Sequence, residues 1–223
     1  VLPTAECPAG SNPDTPGPVG QARPPMAKTS AMAFDRRAGR IVTLAAVEGY
    51  HAQTWTFDVC ANTWARMADA PFDGGSDALV YDVDSDLTIT VETASGRAWA
   101  YDLSSDTWTA KGLAPMTGYG GGGRPRLVYD PISGDVIEAY AATPDLNPDL
   151  SRVHPDVWSY DVETDTWTPV AAVGVSASVL LAYDPAVDRL VAYDIESYGA
   201  GTRLVDLRDG TWRDAAAGTP DIP

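Results

Sequence analysis

The residues best suited to metal or redox chemistry are few and widely spaced. The chain contains only two histidines, His51 and His154, and only two cysteines, Cys7 and Cys60. A zinc or copper site needs several such ligands at suitable spacing, and no third or fourth soft ligand accompanies either pair. We therefore expect no bound metal, no cofactor and no catalytic role for either histidine.

Three further segments resemble binding loops without satisfying their patterns. The run Asp82–Asp86 begins like a calcium loop, but Leu87 and Thr93 stand where that loop needs Gly and Glu. The Gly-rich run Tyr119–Arg124 lacks the Gly-Lys-Ser/Thr signature of a phosphate loop. The acidic segment 145–156 fits solvated carboxylates better than a cation site. With 31 acidic residues, a catalytic pair of carboxylates stays open, but no spacing singles one out.

The overall charge restricts the partners. The formal net charge is −16 and the sequence pI is about 4.2. Such a surface repels phosphate backbones and anionic headgroups, so we expect neither nucleic acid nor a membrane surface as partner. No run of 18 apolar residues is present, which predicts that the chain has no membrane span. Protein and polysaccharide ligands remain.

A repeated frame organises the chain. Asp and Trp recur in the order Asp-x5-Trp, with Thr before the Trp each time: Asp58 to Trp64, Asp102 to Trp108, Asp161 to Trp167, and Asp206 to Trp212. Three copies carry another Trp three residues before the Asp, at Trp55, Trp99 and Trp158, and the fourth copy has Arg203 there. The repeat therefore accounts for all seven tryptophans.

A second element precedes each frame and sets the period. It is an aromatic–Asp pair: Phe34-Asp35, Tyr81-Asp82, Tyr129-Asp130 and Tyr183-Asp184, spaced by 47, 48 and 54 residues. A period near 50 residues with four short β-like runs is typical of propeller blades. We predict an all-β propeller whose blades span about 30–68, 78–112, 126–171 and 178–215, after a Pro-rich leader (1–29) and before a tail (216–223).

The second repeat shows the expected strands most clearly. They are 78–81, 87–93, 97–102 and 107–111. Apolar residues alternate with polar ones along 87–93, which predicts a strand with one buried face. The Asp at each turn can accept backbone N–H groups two residues on. We expect Trp64, Trp108 and Trp167 to pack between neighbouring blades.

The aromatic–Asp strand, the Trp-x-Tyr-Asp strand and the following Asp-Thr-Trp-Thr strand resemble kelch repeats, as in secreted bacterial kelch proteins and the propeller of galactose oxidases. The copper chemistry of the latter needs two His, two Tyr and a Tyr–Cys cross-link, and the two His here lie in different repeats. Kelch propellers usually close with six or seven blades. Three alternatives follow: the chain is a fragment, four blades close, or chains associate into an oligomer or a larger assembly.

Topology predicts where ligands bind. In an antiparallel blade, the two–three loops and the connections between blades share one face, and here they hold the long segments, so we call it the long-loop face. Loops of variable length on a repeated scaffold commonly bind ligands. The candidate binding residues on this face are Tyr50, His51, Asp73, Tyr119, Arg124, Asn147, Arg152, His154 and Tyr198. They predict a non-enzymatic module that binds protein or polysaccharide; the alternatives are a carbohydrate-active enzyme and a structural subunit.

The cysteine pair bears on localisation. Cys7 lies in the leader and Cys60 in the first three–four turn, so a disulfide would tie the leader to the first blade. Two unrelated buried thiols are the alternative. We predict the Cys7–Cys60 disulfide and, with it, an extracellular or cell-surface location.

Overall fold

The computed structural model describes residues 6–11, 14, 16–25, 29–46, 51–73, 78–115, 125–140, 156–173, 179–194 and 201–215. All regular structure in these residues is β-structure. No helix in this part of the chain is long and apolar enough to cross a membrane.

The strands form four antiparallel sheets, each built from four consecutive strands, arranged as the blades of a β-propeller. Blade 1 holds β1 (Thr29–Asp35), β2 (Arg40–Ala46), β3 (Gln53–Asp58) and β4 (Thr63–Arg66). Blade 2 holds β5 (Val80–Asp82), β6 (Leu87–Val91), β7 (Arg97–Asp102) and β8 (Thr107–Leu113). Blade 3 holds β9 (Arg126–Asp130), β10 (Asp135–Ala139), β11 (Val157–Asp161) and β12 (Thr166–Ala171). Blade 4 holds β13 (Val179–Asp184), β14 (Arg189–Asp194), β15 (Thr202–Val205) and β16 (Trp212–Asp214). The predicted fold class is confirmed.

The second strand of blades 1, 2 and 3 is buried more fully than its sequence suggests. In β6 the apolar Ile89 and Val91 are buried, but so are the polar Thr88 and Thr90. The expectation of a single buried face was wrong, because β6 lies inside its sheet and between two neighbouring blades. The alternation predicts the strand correctly, but it does not predict the burial of the second face.

Three hydrophobic clusters join consecutive blades. Phe72 belongs to the cluster between blades 1 and 2, and its ring centroid lies 5.5 Å from that of Trp99 and 5.8 Å from that of Trp108. Ile89 and Tyr160 belong to the cluster between blades 2 and 3, and Leu190 to the cluster between blades 3 and 4. No core cluster of the described residues joins blade 4 to blade 1.

The strand-four tryptophans pack toward the preceding blade. Trp108 donates its indole N–H to the hydroxyl of Thr54 in blade 1 at 3.1 Å. Trp167 stacks on Tyr160 at 4.3 Å within the cluster between blades 2 and 3. Both positions confirm the prediction. Trp64 does not, because its described neighbours are Phe57 of its own blade, at 4.8 Å between ring centroids, and the leader residues around Gln21.

The leader is fastened to blade 1 at two points. Cys7 and Cys60 form the predicted disulfide, with their Cα atoms 5.3 Å apart. The side-chain amide of Gln21 accepts the backbone N–H of Trp64 at 3.0 Å and donates to the carbonyl oxygen of Asn62 at 3.2 Å. One side chain thus occupies a backbone donor and a backbone acceptor beside the outer strand of blade 1.

Candidate functional site

Of the nine residues predicted on the long-loop face, the structure describes two. His51 follows β2 and Asp73 follows β4, so the residues come from a two–three loop and from a connection between blades. The other seven lie outside the described residues: Tyr50, Tyr119, Arg124, Asn147, Arg152, His154 and Tyr198. A binding role for all nine stays a prediction.

The two described residues meet. His51 and Asp73 form an isolated antiparallel bridge, and Nδ1 of His51 lies 2.8 Å from Oδ1 of Asp73. Their side chains are 60% and 81% exposed, so both are accessible to a ligand. Beneath them, the N–H of Ala70 donates to the carbonyl of Ala52 at 2.8 Å, which fixes the two segments side by side. The described residues contain no group of three His, Cys, Asp or Glu side chains able to hold a metal.

The opposite face is formed by the one–two and three–four turns, and we call it the turn face. Four of these turns share a tyrosine whose hydroxyl donates to the aspartate five residues later. The pairs are Tyr81–Asp86, Tyr101–Asp106, Tyr160–Asp165 and Tyr183–Asp188, at 2.6, 2.8, 2.7 and 2.5 Å. These aspartates have φ between 52° and 60°, the left-handed region. Burial, together with the bond to the aspartate, raises the pKa of each of these tyrosines.

Two of these four aspartates also accept a hydrogen bond from the backbone of the preceding blade. Asp106 of blade 2 accepts the backbone N–H of Ala68 in blade 1 at 2.9 Å, and Asp165 of blade 3 accepts that of Gly112 in blade 2 at 2.9 Å. In blade 4 the equivalent residue is Gly210, where a Cβ atom would collide with the carbonyl oxygen of Val170. Contacts of the same kind therefore join blade 1 to blade 2 and blade 2 to blade 3 on the turn face.

A cavity of about 390 Å³ opens on the turn face between blades 1 and 2. Its volume is within the range of ligand-binding pockets. Blade 1 contributes its one–two turn and the residue after β4, and blade 2 contributes both of its turns. The lining residues are Asp35, Arg37, Ala38, Arg40, Met67, Asp86, Leu103 and Ser104.

Charged groups alternate around this cavity. Arg37 of blade 1 reaches Asp86 of blade 2 at 2.7 Å, and Arg40 reaches Asp58 at 3.3 Å. Asp35 is only 3% exposed, and burial, with a smaller contribution from the charge of Asp86, raises the pKa of its carboxyl. The cavity thus combines guanidinium donors, a buried carboxyl and the apolar side chains of Met67 and Leu103.

The equivalent positions at the other two interfaces differ from this cavity. Between blades 3 and 4 the matching cavity is about 160 Å³ and includes Asp130, Ser133, Leu207 and Arg208. Between blades 2 and 3, Lys111 stands at the position of Met67 and donates to the carbonyl oxygen of Val162 at 2.9 Å. The cavity between blades 1 and 2 is therefore larger than the matching cavity between blades 3 and 4.

Blade 3 contains a buried acid of a different kind. Glu138 lies on β10, opposite Leu127 and Trp158, and is 1% exposed. Its Oε2 atom has no hydrogen-bond partner. Burial raises the pKa of Glu138 to about 8. Burial, with a smaller contribution from the charge of Glu138, also raises the pKa of Tyr140.

The repeat explains what Glu138 replaces. The matching residue in blade 1 is Thr43, which donates its hydroxyl to the carbonyl oxygen of Ala31 at 2.8 Å. In blade 2 it is Thr90, which donates to the carbonyl oxygen of Ala78 at 2.7 Å. A carboxyl group can donate in this way only when it is protonated.

Sequence reasoning did not find the turn-face cavity or Glu138. Aligning the repeats residue by residue shows only which residues differ between blades, and the structure shows that these positions are buried or lie beside a cavity. The informative signals are Ala38 where two other blades have Ser, and Glu138 where two other blades have Thr.

No protein-family model and no curated protein sequence matches the chain. Solved structures match its fold. The structure of a nidogen/laminin complex aligns with a TM-score of 0.62 and 11% identity over 85% of this chain and 65% of that one. A protein of unknown function from Bacteroides thetaiotaomicron aligns with a TM-score of 0.59 and 13% identity over 86% of this chain and 48% of that one. Hydrazine synthase from Kuenenia stuttgartiensis aligns with a TM-score of 0.59 and 11% identity over 89% of this chain and 52% of that one.

These similarities define the class of protein as a β-propeller. At 11–13% identity they carry the fold and not a function. The chain spans less than two thirds of the length of each of these three chains, between 48% and 65%.

Proposed function

We propose that this chain is a secreted, non-enzymatic binding module of kelch type, which binds protein or polysaccharide through its long-loop face. The observation that carries the proposal is the contact between His51 and Asp73. Two segments of different kinds, a two–three loop and a connection between blades, meet there with both side chains exposed.

The contrast between the two faces supports this assignment. The turn face is closed by short turns whose aspartates bind their own backbone, as Asp82 does with the N–H of Asp84 at 2.9 Å. A rigid scaffold that presents longer segments on its opposite face is a common arrangement for recognition. The Trp-x-Tyr-Asp strands within four-stranded blades support the kelch type, and the Cys7–Cys60 disulfide supports an extracellular or cell-surface location.

Array screening tests the proposal. The purified chain is applied to glycan and protein arrays, and each hit is repeated with the double variant His51→Ala/Asp73→Ala. We expect at least a tenfold loss of affinity in this variant. The matched control is Val187→Ala, because Val187 is exposed on the turn face, and it should bind like the wild type.

Three outcomes would contradict the proposal. Cleavage of an arrayed glycan would favour the carbohydrate-active enzyme. A stable oligomer without array hits, seen as a mass in solution above that of one chain, would favour the structural subunit. Equal binding by the double variant and the wild type would remove the ligand from the His51–Asp73 part of the face.

A further inference from the structure

We propose that the cavity between blades 1 and 2 on the turn face binds a neutral, hydroxyl-bearing ligand, namely one monosaccharide unit, whose hydroxyl group donates to Asp35. This site lies on the face opposite the long-loop face. It therefore stands independently of the function proposed above.

Comparison with blades 2 and 3 indicates that a hydroxyl group can donate a hydrogen bond to Asp35. In blade 2, Ser85 donates its hydroxyl to Oδ2 of Asp82 at 2.7 Å. In blade 3, Ser133 donates to Oδ2 of Asp130 at 2.9 Å. The matching residue of blade 1 is Ala38, which has no hydroxyl.

Asp35 consequently lacks a donor that Asp82 and Asp130 have; Asp184 of blade 4, with Val187 at the serine position, lacks it too. Its Oδ1 atom accepts the backbone N–H of Ala38 at 2.8 Å, and no described side chain donates a hydrogen bond to it. Yet only 3% of the residue is exposed, and it lines the cavity. Buried carboxyl oxygens are normally satisfied by donors, so the hydroxyl of a molecule in the cavity would take the place of the missing serine.

The rest of the lining favours a neutral ligand over an anion. The guanidinium groups of Arg37 and Arg40 are already paired with Asp86 and Asp58, at 2.7 and 3.3 Å. Each guanidinium keeps further N–H groups that can donate to ring or hydroxyl oxygens. The carboxylate of Asp86 and the net charge of −16 would repel a ligand carboxylate, which disfavours acidic sugars.

The remaining surface suits the apolar face of a sugar ring. Met67 and Leu103 supply apolar contact. The hydroxyl of Ser104 donates to Oδ1 of Asp102 at 2.7 Å, and its oxygen can still accept a hydrogen bond from the ligand. The equivalent cavity between blades 3 and 4 provides an internal comparison. Ser133 already satisfies Asp130 there, and the volume is only about 160 Å³.

The experiment titrates the chain with D-glucose, D-galactose, D-mannose and L-fucose, and with D-glucuronate as an acidic counterpart. Amide chemical shifts locate any binding. We expect at least one neutral sugar to shift the amides of Ala38, Leu103 and Ser104, and glucuronate to bind at least tenfold more weakly. Ala38→Ser should restore the donor and weaken sugar binding at least tenfold, without lowering the melting temperature. The matched control Ser133→Ala should leave binding at this cavity unchanged.

The inference is overturned if no neutral sugar binds, or if Ala38→Ser binds as the wild type does. Shifts confined to the long-loop face would also overturn it while supporting the binding module proposed above. Should Ala38→Ser fold poorly, the position of the shifts in the wild type decides the question by itself.

Discussion

Raising the pH from about 5 to about 8 should weaken the folded state through Glu138. This carboxyl is 1% exposed, stands where blades 1 and 2 have hydroxyl donors, and has an oxygen without a partner. When protonated, it can donate as those threonines do, and the equivalent acceptor is the carbonyl of Arg126. When ionised, it is a buried charge without a described cation to compensate it.

The magnitude follows from the pKa. Burial raises the pKa of Glu138 from its usual 4.5 to about 8. The folded state therefore holds a proton that the unfolded chain has already lost between these two values. Each unit of difference corresponds to about 1.4 kcal/mol, so roughly 5 kcal/mol of stability is present below pH 4.5 and is lost by pH 8. Total stabilities of about 5–15 kcal/mol make such a loss measurable.

Denaturant unfolding at half-unit pH steps provides the assay. The wild type should lose stability steadily from about pH 5 to about pH 8 and then level off. Glu138→Gln removes the titration, and Glu138→Thr restores the hydroxyl of the other blades, so both variants should lack this contribution to the slope. Subtracting a variant from the wild type isolates Glu138 from the other acids with a raised pKa, Asp35 and Asp82. Parallel profiles for wild type and variants would refute the reasoning.

Three further outcomes are expected. Trp108→Ala should lower the melting temperature by more than 5 °C, because it leaves a cavity at the interface between blades 1 and 2. Trp212→Ala should lower the melting temperature less, because the side chain of Trp212 is 42% exposed. Equal shifts of the two variants in thermal melts would contradict this packing. Reduction of the Cys7–Cys60 disulfide should lower the free energy of unfolding by up to about 4 kcal/mol, because the bridge links residues 53 positions apart. Denaturant unfolding measures this change, and an unchanged free energy on reduction would count against the anchoring role of the disulfide. Asp165→Ala should lower the free energy of unfolding by about 2–3 kcal/mol, because two hydrogen bonds are lost and Ala would adopt the left-handed backbone conformation of Asp165. Asp165→Asn should lower it less. The reverse order in denaturant unfolding would exclude this account.

The blades could be predicted from the sequence because their determinants are local and repeated. Trp108 and Asp102 lie six residues apart in a hairpin, and the same pair recurs in every blade. The disulfide was predictable because Cys7 and Cys60 are the only cysteines. The packing of Trp64 could not be predicted, because this tryptophan lies beside the irregular leader and not beside another blade.

The cavity and the buried acid required three-dimensional information. Asp35 looks like any other turn aspartate in the sequence, and its missing donor matters only because the residue is buried beside a cavity. Glu138 looks in the sequence like a solvent-facing residue on a short strand, yet β10 is covered on both faces. Burial of that kind depends on how blades pack against each other, which hydrophobic periodicity does not report.

The amide of Gln21 has a consequence for the behaviour of the chain in concentrated solution. An outer strand with free N–H and carbonyl groups is a template on which another molecule can add a strand. Gln21 occupies one donor and one acceptor beside β4 with the same pair of groups that a peptide bond would offer. The leader therefore shields this edge from intermolecular pairing, and the bridge between Cys7 and Cys60 keeps the shield in place. Export into an oxidising compartment would thus protect the chain against self-association as well as against unfolding.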